Sequence, residues 1–150
     1  MSVCSSEYKT SKFTLRDQQS VDHIRRLVML LRDESNLYCG YYFKDHYIDM
    51  YGNDLTFFIN TGGYADGGPT IKHNAINCND YQQSDDRYVN LFDEIHSRLK
   101  QGTYFTVYSY DRSKHDMLFG VTVYQANGPR LYDNSVGIEA RLLKQLQQPA

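Results

Sequence analysis

Thr103–Gln125 reads TYFTVYSYDRSKHDMLFGVTVYQ. Two runs rich in aromatic and β-branched residues, Thr103–Tyr110 and His115–Gln125, flank the polar tetrad DRSK. Each alternates with a period of two, which predicts a β-hairpin. Phe105 and Val107 fall on one side, with Met117, Phe119, Val121 and Val123 as expected facing partners. Tyr104, Thr106, Tyr108 and Tyr110 fall on the other, with Gly120, Thr122 and Tyr124. An aliphatic face must be covered, and the flanking sequence offers helices for that purpose.

Upstream, Tyr88, Phe92, Ile95 and Leu99 recur at helical spacing. Ser84 is the expected cap of this helix, Asp85 and Asp86 suit its positive end, and Gly102 can end it. Downstream, Asn134 or Ser135 opens a helix carrying Ile138, Leu142, Leu143 and Leu146. Near the start, Val21, Ile24, Leu27, Val28 and Leu31 form a third apolar stripe, with Ser20 as cap. Between the first two helices, Asn36–Lys44, His46–Tyr51 and Asp54–Asn60 read as three strands joined by KDH and GND turns. Ile71–Asn77 reads as a further strand or edge segment, and Lys12–Leu15 as a short strand or a crossing segment.

The expected order is therefore α-β-β-β-α-β-β-α. The fold class is α+β, a mostly antiparallel sheet of about five strands with helices packed on one face. All 150 residues are expected to form one domain, with residues 1–12 a flexible lead-in. The other face of the sheet is left rich in tyrosine. The chain has 14 Tyr and no Trp, and Tyr suits both half-buried sheet faces and contact surfaces. Tyr38, Tyr42, Tyr104, Tyr108 and Tyr110 are the candidate partner-binding residues.

The glycine-rich stretch Ile59–Asn74, INTGGYADGGPTIKHN, is the second candidate site. Gly63 and Gly68 have the spacing of a phosphate-binding loop, but Pro69-Thr70 follows where Lys-Ser/Thr is required. The missing Lys removes the charge that reaches the outer phosphates, and Pro69 removes an N–H donor. No helical stripe follows to aim a dipole at the loop. The remaining reading is a lid or contact loop, with Gly62, Gly63, Tyr64, Gly67, Gly68, Thr70, Lys72 and His73 as ligand-binding candidates. A plain long connection is the alternative.

No catalytic set stands out. His46 with Asp45 and Asp49 does not gather on one side of a strand, and His115 lies in a turn. His23 and His96 are helical, His23 beside the expected helix start. Cys78 with His73 lacks an orienting third group. Cys4, Cys39 and Cys78 form no C-x-x-C pair, so neither a disulfide framework nor a zinc site is expected. No metal or other cofactor is expected.

Net charge is −2, unevenly spread. Residues 1–32 hold six Lys/Arg against three Asp/Glu, residues 33–96 three against eleven, and residues 97–150 seven against four. The acidic middle is either a solvated surface or a face for a basic partner. The opening MSVCSSEYKTSK lacks the apolar core of a signal peptide, and the longest aliphatic run is LVMLL, Leu27–Leu31. A soluble cytoplasmic protein with no membrane partner is expected.

The segment LTFFINTGGYADGGPTIKHNAIN, residues 55–77, resembles one found in small bacteriophage proteins through Asn60, Gly62, Gly63, Thr70, Lys72, Ile76 and Asn77. The ADGGP insertion sets it apart. The resemblance implies a phage or mobile-element origin and a host-directed or anti-defence role. The order of elements is also similar to that of class I type III secretion chaperones, small dimers that bind an effector segment, which implies a homodimer. Together these features point to a non-enzymatic binding protein with a protein partner, in concrete form an inhibitor or accessory protein. The alternative is a nucleotide- or nucleic-acid-binding protein, or a phosphodiester-handling enzyme, whose loop 61–73 closes over an anion. Tyr104, Tyr108 and Tyr110 would then stack bases of a single strand, helped by Arg25, Arg26, Arg112 and Lys114.

Overall fold

A computed structural model of the chain describes residues 6–33, 42–64, 68–73, 88–111 and 117–133. In chain order the elements are β1 (Ser6–Thr10), β2 (Phe13–Thr14), α1 (Gln18–Leu31), β3 (Tyr42–Asn53) and β4 (Thr56–Tyr64). They continue with β5 (Thr70–Lys72), β6 (Tyr88–Asn90), α2 (Leu91–Ser97), β7 (Tyr104–Asp111), β8 (Met117–Gln125) and β9 (Leu131–Asp133). The α+β class and the antiparallel sheet are as expected. The strand count and element order are not: among the described residues seven strands form the main sheet, and β5 pairs with β6 in a separate ribbon. The helix expected after Asn134 lies outside the described residues.

The largest departure is at the start of the chain. From Ser6 the expected lead-in is instead β1, which lies between β4 and β7 and pairs antiparallel with both. The period-two pattern is plain in retrospect, since Ser6, Tyr8 and Thr10 are buried and Lys9 is exposed. β1 and β2 run in turn along β4, so seven strands fill six lanes. At the join the backbone leaves the ladder, which would orphan buried N–H groups on both neighbours. Two hydroxyls take them: Thr10 Oγ1 accepts from Ile59 N at 2.9 Å, and Ser11 Oγ accepts from Thr106 N at 2.8 Å.

The three strands expected over 36–60 are, in the described part, one long strand and its hairpin partner. The KDH segment does not turn but lies in a register shift between Tyr42 and Tyr47. The true reversal is at Asp54 (φ 54°) and Leu55, closed by the pair Asn53 and Thr56. Gly52 before it has φ 139°, and a Cβ there would sit 2.2 Å from the Thr56 carbonyl oxygen, so only glycine fits. Counted back from the closing pair, even-numbered residues of β3 turn their backbone groups away from β4. Arg32, just past α1, donates from Nε to one of these, the Ile48 carbonyl, at 3.2 Å.

Helix α1 begins three residues earlier than expected. Its cap is Asp17, whose carboxylate accepts from Ser20 N at 2.8 Å, while Ser20 itself is buried. All five expected core residues of α1 are buried. Helix α2 is shorter than expected. Tyr88 and Val89 are drawn into β6, and Asn90 is the cap, accepting from Phe92 N and Asp93 N. Ser84 lies outside the described residues, and Leu99 makes a β-bridge to Leu15 where a last helical turn was expected.

Both helices insert their apolar residues into one cluster. It joins Ile24, Leu27 and Leu31 of α1 and Phe92 and Ile95 of α2 to Ile48, Phe57, Ile59, Phe105 and Val107 of the sheet. The hairpin register corrects the expected faces. Direct antiparallel partners share a face, and Phe105 pairs with Tyr124, Val107 with Thr122, Thr106 with Val123 and Tyr108 with Val121. Tyr124 therefore belongs to the main core, stacked on Phe105 at 4.8 Å. Val121 and Val123 face the other way and pack with Tyr104, Tyr108 and Leu131. Sorting residues by hydrophobicity misplaced Gly120 to Tyr124 by one position, which reverses every side chain there. The irregularity between Ser109 and Tyr110 leaves Met117 in register with Asp111, on the expected side.

Two outcomes follow from this packing. Thr10→Val keeps the shape but leaves Ile59 N–H buried without a partner, so unfolding in urea should show a loss of about 1–3 kcal/mol. The second concerns His23, whose Nε2 lies 3.8 Å from Glu94 Oε1 between the helices. Burial, then the Arg98 charge, push its pKa down, with Arg26 adding to them and Glu94 opposing. The unfolded chain therefore takes up the proton first. Stability should be complete above the ordinary value of about 6.5 and fall as pH drops below it. His23→Gln should remove that part of the slope in denaturation curves from pH 7.5 to 5.

Candidate functional site

The face turned away from α1 and α2 is built from alternate residues of the main sheet. Its rows can be followed by register. Tyr47, Gly62, Glu7, Tyr110 and Leu118 are successive partners across β3, β4, β1, β7 and β8. The next row is Asp49, Asn60, Lys9, Tyr108 and Val121. Beyond it, Tyr51 and Phe58 pair at the outer edge, their rings stacked at 5.1 Å.

Gly62 organises the first row. With no side chain there, the Tyr47 ring lies across β4, and a Cβ would meet its Cε1 at 2.7 Å. The ring thus spans a whole strand, and its hydroxyl donates to Glu7 Oε1 on β1 at 2.5 Å. An aromatic ring lying over a glycine in this way restores packing that glycine lacks. On the far side of β1, the Lys9 ammonium sits 5.4 Å from the centre of the Tyr110 ring.

The face is not uniform. Toward β8 and β9 it is closed, since Thr106 and Val123 have no exposure and Tyr104 and Tyr108 pack on Val121 and Val123. Elsewhere it is open: Tyr51 is 48% and Leu118 44% exposed, and Lys9 is exposed. Acid and base alternate on it, with Glu7 and Asp49 against Lys9. The result is an aromatic, partly charged surface of no single sign.

The expected partner-binding residues Tyr104, Tyr108 and Tyr110 all lie on this face. Tyr104 and Tyr108 serve its closed part, and Tyr110 lies at the open part. Tyr42 begins β3, and Tyr38 lies outside the described residues. The residues that do most here, Glu7, Lys9, Tyr47, Tyr51 and Phe58, were not singled out by sequence. The two on β1 were hidden by reading that segment as a lead-in.

The glycine-rich candidates are divided between two sheets. Gly62, Gly63 and Tyr64 end β4, whereas Thr70 and Lys72 belong to β5, with His73 next to it. Gly68 has φ 84° and abuts the Phe92 ring, and Thr70 Oγ1 donates to its carbonyl at 3.2 Å. The Pro69 carbonyl accepts from Leu91 N at 3.0 Å and so joins the start of α2. Gly67 lies outside the described residues, as do Cys4, Cys39 and Cys78. Among the described residues, no three His, Cys, Asp or Glu side chains gather to hold a metal, and no helix is long and apolar enough to cross a membrane.

The Tyr47–Glu7 contact gives a direct test of this arrangement. Tyr47→Phe should cost about 1–2 kcal/mol in urea unfolding, the range of a hydrogen bond to a charged group lowered by partial exposure. Gly62→Ala should displace the ring and break the same bond. The double variant should therefore lose clearly less than the sum of the two single losses.

No family model, curated protein or solved structure matches the chain, so what this face does must be argued from its own residues.

Proposed function

We propose that the protein acts by binding a protein partner through the open part of the sheet face turned away from its helices. The observation that carries this is the Tyr51–Phe58 stack at one end and Leu118 with Tyr110 at the other. Both ends are partly exposed, with Glu7, Lys9 and Asp49 between them. Large aromatic and aliphatic side chains on a rigid sheet lose little freedom when covered, so they make effective anchors. The alternating charges favour a partner that also presents both signs. Among the described side chains of this face, a nucleic-acid backbone would meet two carboxylates for one ammonium, on a chain of net charge −2. The likeness of residues 55–77 to small bacteriophage proteins gives the proposal its concrete form, an inhibitor or accessory protein directed at a host or defence protein.

Photocrosslinking tests it. Benzoylphenylalanine placed at Tyr51 or Leu118, in cells expressing the protein, should capture the same protein from both positions. The same group at Met29, 63% exposed on α1, should not. Tyr51→Ser with Leu118→Ser should weaken capture at least tenfold with the thermal midpoint little changed. Equal capture from Met29, or an adduct that nuclease removes, overturns the proposal.

A further inference from the structure

A concavity lies where the end of α2 meets the turn after β8. It is a cleft of about 720 Å³, bounded by Arg16, His96, Ser97, Leu99, Gln101 and the turn 126–129. That volume falls within the roughly 300–1,000 Å³ typical of small-molecule sites. None of these residues belongs to the sheet face proposed above for the partner, so the two proposals stand or fall separately.

The cleft is built, not incidental. His96 Nε2 lies 2.8 Å from the Gln125 carbonyl oxygen and 2.9 Å from that of Gly128. Both are acceptors, so Nε2 carries the hydrogen and donates to the two together. This fastens the turn to α2. Within the turn, Gly128 N donates to Gln125 O, Ala126 N donates to Thr103 O, and Asn127 takes φ 61°. The Tyr124 ring meets His96 edge-on at 5.3 Å and holds the imidazole in place. Walls fixed before a ligand arrives reduce the ordering cost of binding.

Its lining has a definite chemistry. Leu99, Ala126 and Pro129 supply apolar surface, and Ser97, Gln101 and Asn127 supply polar groups. Arg16 is the one Arg, Lys, Asp or Glu among the described lining residues. Its own contacts are long: Nη1 is 3.5 Å from the Ser97 carbonyl, and Nε is 3.7 Å from Asp17 Oδ2. The other Asp17 oxygen is engaged at the start of α1. The guanidinium fork thus has donors to offer an oxyanion at the rim of a cleft whose other described lining residues include no Lys, Arg, Asp or Glu.

We infer that this cleft binds a small organic anion, a flat apolar body bearing one carboxylate or phosphate, with the oxyanion on Arg16 and the body against Leu99 and Pro129. Amide NMR titration of the full chain tests it with four probes: benzoate, phenyl phosphate, benzyl alcohol and inorganic phosphate. Benzoate or phenyl phosphate should produce saturable shifts at Ser97, Gln101, Asn127 and Gly128, and which of the two binds tighter assigns the anion. Benzyl alcohol lacks the charge and inorganic phosphate lacks the body, so each should bind at least tenfold more weakly. Arg16→Gln should weaken the organic anion at least tenfold, and Arg16→Lys should recover part of that loss. Because Arg16 is more than half exposed, neither change should move the thermal midpoint appreciably. Absence of saturable shifts with both organic anions, equal binding of benzyl alcohol, or indifference to Arg16→Gln overturns the inference.

Discussion

The architecture depends on the insertion of a five-residue strand, Ser6–Thr10, between two strands that come some fifty and one hundred residues later in the chain. Without β1, the hairpin β3–β4 and the hairpin β7–β8 would share no backbone hydrogen bonds among the described residues, and the core over Phe57 and Phe105 would divide. A central strand so short tolerates no loss of pairing. The chain must also bend within the same lane, so that Phe13 can join Phe57 and Phe105 beneath the helices. Bending and pairing conflict. Adjacent Thr10 and Ser11 resolve this, since a hydroxyl on the β-carbon lies close enough to the backbone to replace a carbonyl that has swung away.

The same insertion gives the molecule its two unlike faces. On the helix side, Tyr8 meets Phe92 edge-on at 5.9 Å, so β1 contributes to the core. On the other side it contributes only Glu7 and Lys9, and neither can be buried cheaply. Aromatic rings therefore gather around them. Tyr47 crosses a glycine to reach the carboxylate, and Tyr110 offers its ring face to the ammonium. A charged pair on a central strand thus sets which rings stay near the surface, and those rings are what a partner would meet.

How much of this the sequence disclosed depended on the range of the interactions. The stripe Val21 to Leu31 and the alternation of Thr103–Tyr110 are local patterns, and both gave the correct element. Register is not local. Whether Tyr124 or Val123 faces Phe105 depends on a turn and on the irregularity between Ser109 and Tyr110, and neither leaves a pattern in either strand. Tyr88 and Val89 do not belong to the helix that Asn90 caps because they pair with Lys72 and Ile71, which overrides helical spacing. The glycine-rich stretch was read as one loop because glycine signals turns. Gly62 is instead a gap in a strand that a ring fills, and no sequence window contains both Gly62 and the Glu7 to which that ring reaches.

The Arg32 contact to the Ile48 carbonyl has a consequence beyond its one hydrogen bond. β3 is twelve residues long, and no described strand other than β4 pairs with it, so its outer backbone groups are of the kind that can recruit a strand from another molecule. A guanidinium set across the middle of that row places a hydrated cation where an incoming strand would need to dock. The guard stands at the end of α1, so its presence depends on that helix keeping its final turn. Fraying there, a small and local event in one molecule, would unmask the edge and promote contact between molecules. Self-association through this edge would then depend on the last turn of α1.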